Sequence, residues 1–161
     1  MQKISKKAKI SKLADIENSV RGSRLVIAAG VRIDSFVKIK FVGGIGDIEI
    51  RKNSYINSGT VIYSGNGVLI GECVLIASNC TLAPVNHEIK RCKKIIDQGF
   101  KSNKGGIIIE DDVWIGANTV ILDGAILRKG CVVGAQSLVR GELESYSINV
   151  GSPAKKIGYR E

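Results

Sequence analysis

The chain has 161 residues, 44% of them hydrophobic but only 5% aromatic, with 24 Lys and Arg against 15 Asp and Glu for a formal charge of +9. This length suits a single domain, residues 1–161, with one continuous core made of branched aliphatics rather than rings. No apolar run approaches the ~20 residues of a membrane span, and the basic residues 1–7 lack the apolar stretch of a secretion signal.

Aliphatic residues recur at every sixth position from the beginning of the chain, at Ile4, Ile10 and Ile16. Within residues 1–24 the positions of Ile10, Leu13 and Ile16 also fit a short amphipathic helix, so coil and helix both remain open there. Residues 25–87 continue the spacing in broken registers. Ile27, Ile33, Ile39 and Ile45 form one, and Ile50, Ile56, Ile62 and Val68 a second; Ile70, Ile76 and Leu82 restart it after a two-residue slip at residues 65–67. Residues 88–106 abandon the pattern. They are polar and basic, and so long a loop inside a compact domain points to function. Residues 107–144 carry the cleanest run, Ile109, Ile115, Ile121, Leu127, Val133 and Val139. Residues 145–161 leave the period; Gly151-Ser152-Pro153 marks a turn, and this tail is expected to fold back as a cap.

The period decides the backbone. Each helical residue turns ~100°, so every sixth one would scatter over three faces of a helix. In an extended chain an even spacing keeps side chains on one side. An unbroken strand of that length is excluded, so each unit must contain a corner. Gly116, Asn118, Asp123, Gly124, Gly130 and Gly134 are the expected corner residues in the last run. Four residues beyond most aliphatic positions comes a slim side chain (Ala8, Ala14, Val20, Val31, Val37, Ser54, Thr60, Val74, Cys80, Val113, Thr119, Ala125, Cys131 and Ser137), as a narrow interior requires.

The four cysteines form no C-x-x-C pair, and with a single histidine they argue against a structural zinc site. Cys73, Cys80 and Cys131 fall within repeat units and read as small hydrophobes in a reducing, cytoplasmic compartment. The positive charge comes without an arginine-rich helix or an aromatic platform, so no nucleic-acid partner is expected. Attraction of phosphate-bearing small molecules fits better. The cations concentrate at Lys90, Arg91, Lys93, Lys94, Lys101 and Lys104, and in the tail at Lys155, Lys156 and Arg160.

The Ile-Gly-x-x-x-x units, as at Ile70-Gly71 and Ile115-Gly116, resemble the hexapeptide-repeat acyltransferases. Three segments are more specific: Val74-Leu75-Ile76-Ala77 leading to Asn86-His87, Asp111-Asp112-Val113-Trp114-Ile115-Gly116-Ala117, and Gly151-Ser152-Pro153-Ala154-Lys155. In this order, with the interrupting loop, they resemble the sugar O-acetyltransferase branch, which includes galactoside, maltose and polysaccharide acetyltransferases. The resemblance implies an all-β fold, a left-handed parallel β-helix with three hexapeptides per coil. It also implies a homotrimer with sites between adjacent subunits, and acetyl-CoA as co-substrate without a metal. The usual preference for right-handed crossovers would by itself give the opposite hand.

Acetyl transfer to a hydroxyl needs a group that takes the hydroxyl proton as the oxygen attacks, and imidazole suits this near neutral pH. By position alone, His87 could equally be a surface or capping residue; the Asn-His ending shared with the family makes it the general base. Direct attack is favoured over an acyl-enzyme, since Cys80 reads as core and Cys92 is the one loop thiol. The resemblance further implies Asn57, Asn86 and Trp114 at the acceptor. It places Trp114, Ala117, Gly134, Ala135 and Lys155 along the cofactor, with the Ala117 backbone near the thioester. The family's Thr-Lys pair after the last repeat is replaced here by Arg140-Gly141, so Arg140 stands in for that lysine. Asn57 also fits a plain corner residue. The expected activity is acetylation of a sugar hydroxyl in surface-polysaccharide assembly. The alternatives are N-acetylation of a free or nucleotide-linked amino sugar, inactivation of an antibiotic, and a non-catalytic β-helix scaffold.

Overall fold

The structure is a computed structural model that describes residues 1–101 and 104–161. Among the described residues the chain winds into three sheets of seven, eight and six strands and contains no α-helix. Successive strands go to successive sheets, so each turn of chain lays one short strand on each of three faces. The first face runs from Gln2–Ile4 to Glu142–Leu143, the second from Lys9–Ile10 to Lys155–Tyr159, and the third from Asp15–Ile16 to Leu138–Val139. Residues 1–24 are therefore a first coil, which resolves the choice between coil and helix left open above.

The sixfold aliphatics become vertical ladders inside the prism. Ile27, Ile50, Ile70, Ile109 and Leu127 are successive neighbours on the first face. Ile33, Ile56, Ile76, Ile115 and Val133 stack on the second, and Ile39, Ile62, Leu82, Ile121 and Val139 on the third. All are at most 2% exposed. Burying each is worth roughly 1.5–3 kcal/mol, and a one-residue slip would turn a whole rung outward. The slim positions line the same interior. Val31, Val37, Ser54, Thr60, Val74, Cys80, Val113, Thr119, Ala125, Cys131 and Ser137 are all buried. The polar ones are satisfied locally: Ser54 Oγ donates to the Gly71 carbonyl at 2.7 Å and Thr60 Oγ1 to that of Ala77 at 3.1 Å.

Some expectations are corrected. Val20 is 94% exposed and Ile45 76% exposed, so neither belongs to a ladder. The chain bulges outward between coils there, and Ile27 finds its lateral neighbour in Ile50, not at a multiple of six. Among the expected corners, Asn118, Gly124 and Gly130 have positive φ, whereas Gly116 and Gly134 do not. Asp123 shares its turn with Gly124, as expected, and is buried. It ties down the return of the long loop, accepting from Asn66 Nδ2 at 3.0 Å, the Lys104 N–H at 3.2 Å and the Gly106 N–H at 3.1 Å.

The coil continues into the region where the sixfold spacing ends. Leu127 lies beside Leu143 and Val133 beside Asn149, sixteen residues on, so the last turn is two residues shorter than the eighteen that separate Ile109 from Leu127. After Gly151-Ser152-Pro153 the strand Lys155–Tyr159 returns antiparallel along Ser147–Val150 and closes the end of the second sheet.

Candidate active site

The long loop leaves the prism after the third-face strand Thr81–Ala83 and returns at Ile107–Ile109. His87 stands at its base, exposed, where it forms an isolated antiparallel bridge with Phe100. The two rings lie 4.7 Å apart between centroids, tilted by 49°. Below them Glu88 N–H donates to the Gly99 carbonyl at 2.9 Å and Lys101 N–H to that of Asn86 at 2.7 Å. At the tip, Gln98 knits the turn together: its Oε1 accepts from the Lys90 N–H at 2.8 Å, and its Nε2 donates to the Lys90 and Lys93 carbonyls at 3.0 and 2.9 Å. The loop is thus an ordered arm over its described residues; residues 102 and 103 of the 88–106 segment lie outside them. Its lysines and Arg91 make no ion pair among the described residues.

Asn57, Ala117, Gly134 and Ala135 share a different edge, the one between the second and third faces. Asn57 N–H donates to the Ile76 carbonyl, Ala77 N–H to that of Ile115, Gly116 N–H to that of Val133 and Gln136 N–H to that of Ala117, so these corners stack one above another. Trp114 borders this edge on the second face, 50% exposed between Leu75 and Val132. The edge is tightly stacked. A Cβ at Gly116 would come 2.5 Å from the Ala135 nitrogen, and one at Gly134 would come 2.7 Å from Val150 Cγ1. At Gly116 the neighbour is backbone, so packing between coils already requires glycine, whatever passes outside; at Gly134 it is the side chain of Val150. Asn57 is half-buried and its Nδ2 donates to the Ile76 carbonyl at 2.8 Å.

Arg140 follows the third-face strand Leu138–Val139 and sits on the same edge as His87. Lys155 opens the closing strand and makes no ion pair among the described residues. Its tail companions are engaged: Lys156 bonds Glu144 at 2.8 Å, and Arg160 bonds Asp112 at 2.8 Å. Within one chain, then, His87, Asn86 and Arg140 occupy one edge and Asn57, Ala117, Gly134 and Ala135 another, with the width of the third face between them.

The thiols divide in the same way. Burial raises the Cys80 pKa and pushes that of Cys131 up to about 12, and the Cys80 Sγ donates to the Gly116 carbonyl at 3.2 Å. Cys80 is a core group and not a nucleophile, and Cys73 and Cys92 are the exposed thiols. Among the described residues no cluster of three or more His, Cys, Asp or Glu could hold a metal, and no helix is long and apolar enough to cross a membrane.

Residues 106–141 match the family described as bacterial transferase hexapeptide (six repeats). A putative lipopolysaccharide biosynthesis O-acetyl transferase of Escherichia coli is 31% identical over 142 residues, covering 84% of this chain and 69% of that protein. A probable acetyltransferase of Mycobacterium tuberculosis is 32% identical over 117 residues, covering 72% of this chain, although the chain spans only 38% of that relative's length. Among solved structures, a point mutant of the N-acyltransferase AntD of Bacillus cereus, in complex with dTDP-4-amino-4,6-dideoxyglucose and coenzyme A, superposes with a TM-score of 0.82 at 28% identity, covering 99% of this chain and 84% of that one.

The fold is the left-handed parallel β-helix of such acyltransferases. The chain belongs to the hexapeptide-repeat sugar acetyltransferase family, whose members take their acyl group from a coenzyme A thioester.

Two features were not legible as functional in the sequence. Phe100 is the ring that seats His87, and Lys9 with Arg32 forms a cationic pair on the second face. Each lies far along the chain from its partner, and only the fold brings the partners together.

Proposed function

We propose that the protein is an acetyl-CoA-dependent acetyltransferase that modifies a sugar hydroxyl, with His87 as the general base, in the assembly of a surface polysaccharide. The observation that carries this reading is the placement of His87: exposed, at an edge of the prism, and held at the root of an ordered basic arm by Phe100. The relatives and the coenzyme A-bound neighbour support the donor, and the Escherichia coli relative supports the hydroxyl acceptor.

Because the two sets of candidate residues lie on different edges, one chain does not assemble a site alone. The reading therefore includes a cytoplasmic homotrimer in which the His87 edge of one subunit faces the Asn57–Ala135 edge of the next. The free, unpaired cysteines support a reducing compartment. In the chemical step, the imidazole removes the hydroxyl proton as the acceptor oxygen attacks the thioester carbonyl. The backbone N–H of Ala117 meets the developing oxyanion, and the coenzyme A sulfur leaves with the proton that His87 returns. Trp114 lies along the acyl arm, Arg140 and Lys155 bind the phosphates, and Asn57 and Asn86 orient the acceptor. The small corners Gly134 and Ala135 leave room for the cofactor beside the coil.

A second reading, N-acylation of a nucleotide-linked amino sugar, is favoured by the 99% coverage of this chain on the B. cereus N-acyltransferase. Thiol release from acetyl-CoA, measured against sugars, amino sugars and nucleotide-linked sugars, separates the two. Turnover with hydroxyl acceptors supports the first reading and turnover confined to amines the second. The absence of acceptor-stimulated thiol release overturns both and leaves a non-catalytic scaffold.

A further inference from the structure

Lys9, Arg32 and Tyr55 are successive lateral neighbours on the outer side of the second face, at its N-terminal end. With Ser11 and Asp34 they line a recess of about 400 Å³. Like charges placed directly opposite on adjacent strands repel and destabilise the pair. Neither Lys9 nor Arg32 makes an ion pair among the described residues, whereas Arg24, Arg51, Arg128 and Arg160 each have a carboxylate at 2.7–2.9 Å. The one acid in the wall, Asp34, is occupied: Oδ1 accepts from the Ser35 N–H and Oδ2 from Ser58 Oγ, both at 2.7 Å. The recess thus presents two cations without an ion-pair partner among the described residues, one carboxylate held by two hydrogen bonds, a hydroxyl and a phenol ring, a lining that stays net positive. An arginine fork beside an ammonium suits a phosphate or diphosphate.

Its place in the fold says which substrate would carry that group. Ser11, Asp34 and Asn57 each follow directly on a second-face ladder position, so the recess lies beside Asn57 and on the same edge as Ala117 and Gly134, which sit further toward the C-terminal end of the prism. From Arg32 the face steps through Tyr55 and Leu75 to Trp114. Three strand spacings of about 4.8 Å give roughly 14 Å, on the scale of a hexose extended through a diphosphate. We infer that the acceptor sugar is carried on a diphosphate, that Lys9 and Arg32 hold that diphosphate, and that Tyr55 packs against the group next to it. This rests on the sugar-acyltransferase reading and narrows its substrate to sugars linked to a nucleotide or lipid carrier through phosphate.

The test is calorimetric titration of the purified protein with UDP, UDP-hexose, inorganic pyrophosphate and a methyl hexoside, comparing wild type with Lys9→Ala/Arg32→Ala. The three diphosphates are expected to bind wild type at least tenfold more tightly than the double variant and to weaken with added salt. Coenzyme A and methyl hexoside should not distinguish the two proteins. Arg32→Lys keeps the charge and should retain part of the affinity, and unchanged melting temperatures would exclude misfolding. Equal diphosphate binding by the two proteins, or none by wild type, overturns the inference. In turnover, preference for a nucleotide-linked or a lipid-diphosphate-linked acceptor identifies the carrier, and equal use of the free sugar overturns the inference. Binding is read without catalysis, so a protein that binds diphosphates through Lys9 and Arg32 yet transfers no acetyl group refutes the enzymatic reading alone.

Discussion

The imidazole of His87 rests against the ring of Phe100, centroids 4.7 Å apart, and the same two residues pair through their backbones at the root of the long arm. One contact thus fixes both the direction of the ring and the take-off of the arm. Phe100→Ala should leave the fold intact and lower kcat by roughly 10–100-fold, because a modest misplacement of a reacting group is costly. KM for acetyl-CoA should be unchanged. Steady-state kinetics with the best acceptor checks this; a variant with wild-type kcat would show that Phe100 does not position the base.

His87→Ala should cost more, about 10²–10⁴ in kcat, the usual loss when a general base is removed. The side chain is exposed, so the melting temperature should hold. Retention of kcat within a few-fold would remove His87 from the chemistry.

Trp114 is the sole tryptophan and is 50% exposed, so its fluorescence reports directly on the second face. If the acyl arm lies along it, titration with coenzyme A should shift or quench the emission saturably. An emission unaffected at saturating coenzyme A, with binding verified by calorimetry, would move the cofactor elsewhere.

Gly116→Ala adds one methyl group to a position where its Cβ would meet the Ala135 nitrogen at 2.5 Å and the Gly134 carbonyl carbon at 2.8 Å. Both are backbone atoms, which cannot step aside singly. Destabilisation should be about 1–3 kcal/mol, as for overpacked cores, measured by urea unfolding of wild type and variant. An unchanged midpoint would mean that the coils part there at little cost.

At pH 8 an alkylating reagent should label Cys73 and Cys92 in the native protein, and Cys80 and Cys131 only after unfolding. Burial holds the Cys131 thiol protonated up to about 12, against the usual 9.0. The unfolded chain therefore releases this proton first, and the stability contribution is present below pH 9 and lost as pH rises toward 12. Mass spectrometry of labelled protein and alkaline unfolding curves check the two statements; native labelling of Cys131 would contradict both.

Much of the fold was legible because one constraint repeats. Ile109, Ile115 and Ile121 announce three inward positions at even spacing, and the same rule finds Leu127, Val133 and Val139. It failed at Ile45 and Val20, where the spacing persists by coincidence through segments that bulge outward. It stopped early at the C-terminal end, because a turn shortened by two residues shifts Leu143 and Asn149 out of the period without removing them from the sheets. His87 stood out as the lone histidine beside an interruption, but its seat on Phe100 did not, since that contact depends on how the arm folds back.

The sequence alone determined that the chain is a repeat of short extended segments with a corner in each and a long interruption at its middle, because an even hydrophobic period admits an extended backbone and excludes a helix. Only the tertiary structure decided which corners share an edge. The turns between coils vary in length, so Lys9 meets Arg32 and Ile70 meets Ile109 at separations that no fixed period predicts. His87 and Ala117 fall on different edges because one follows a third-face strand and the other a second-face strand.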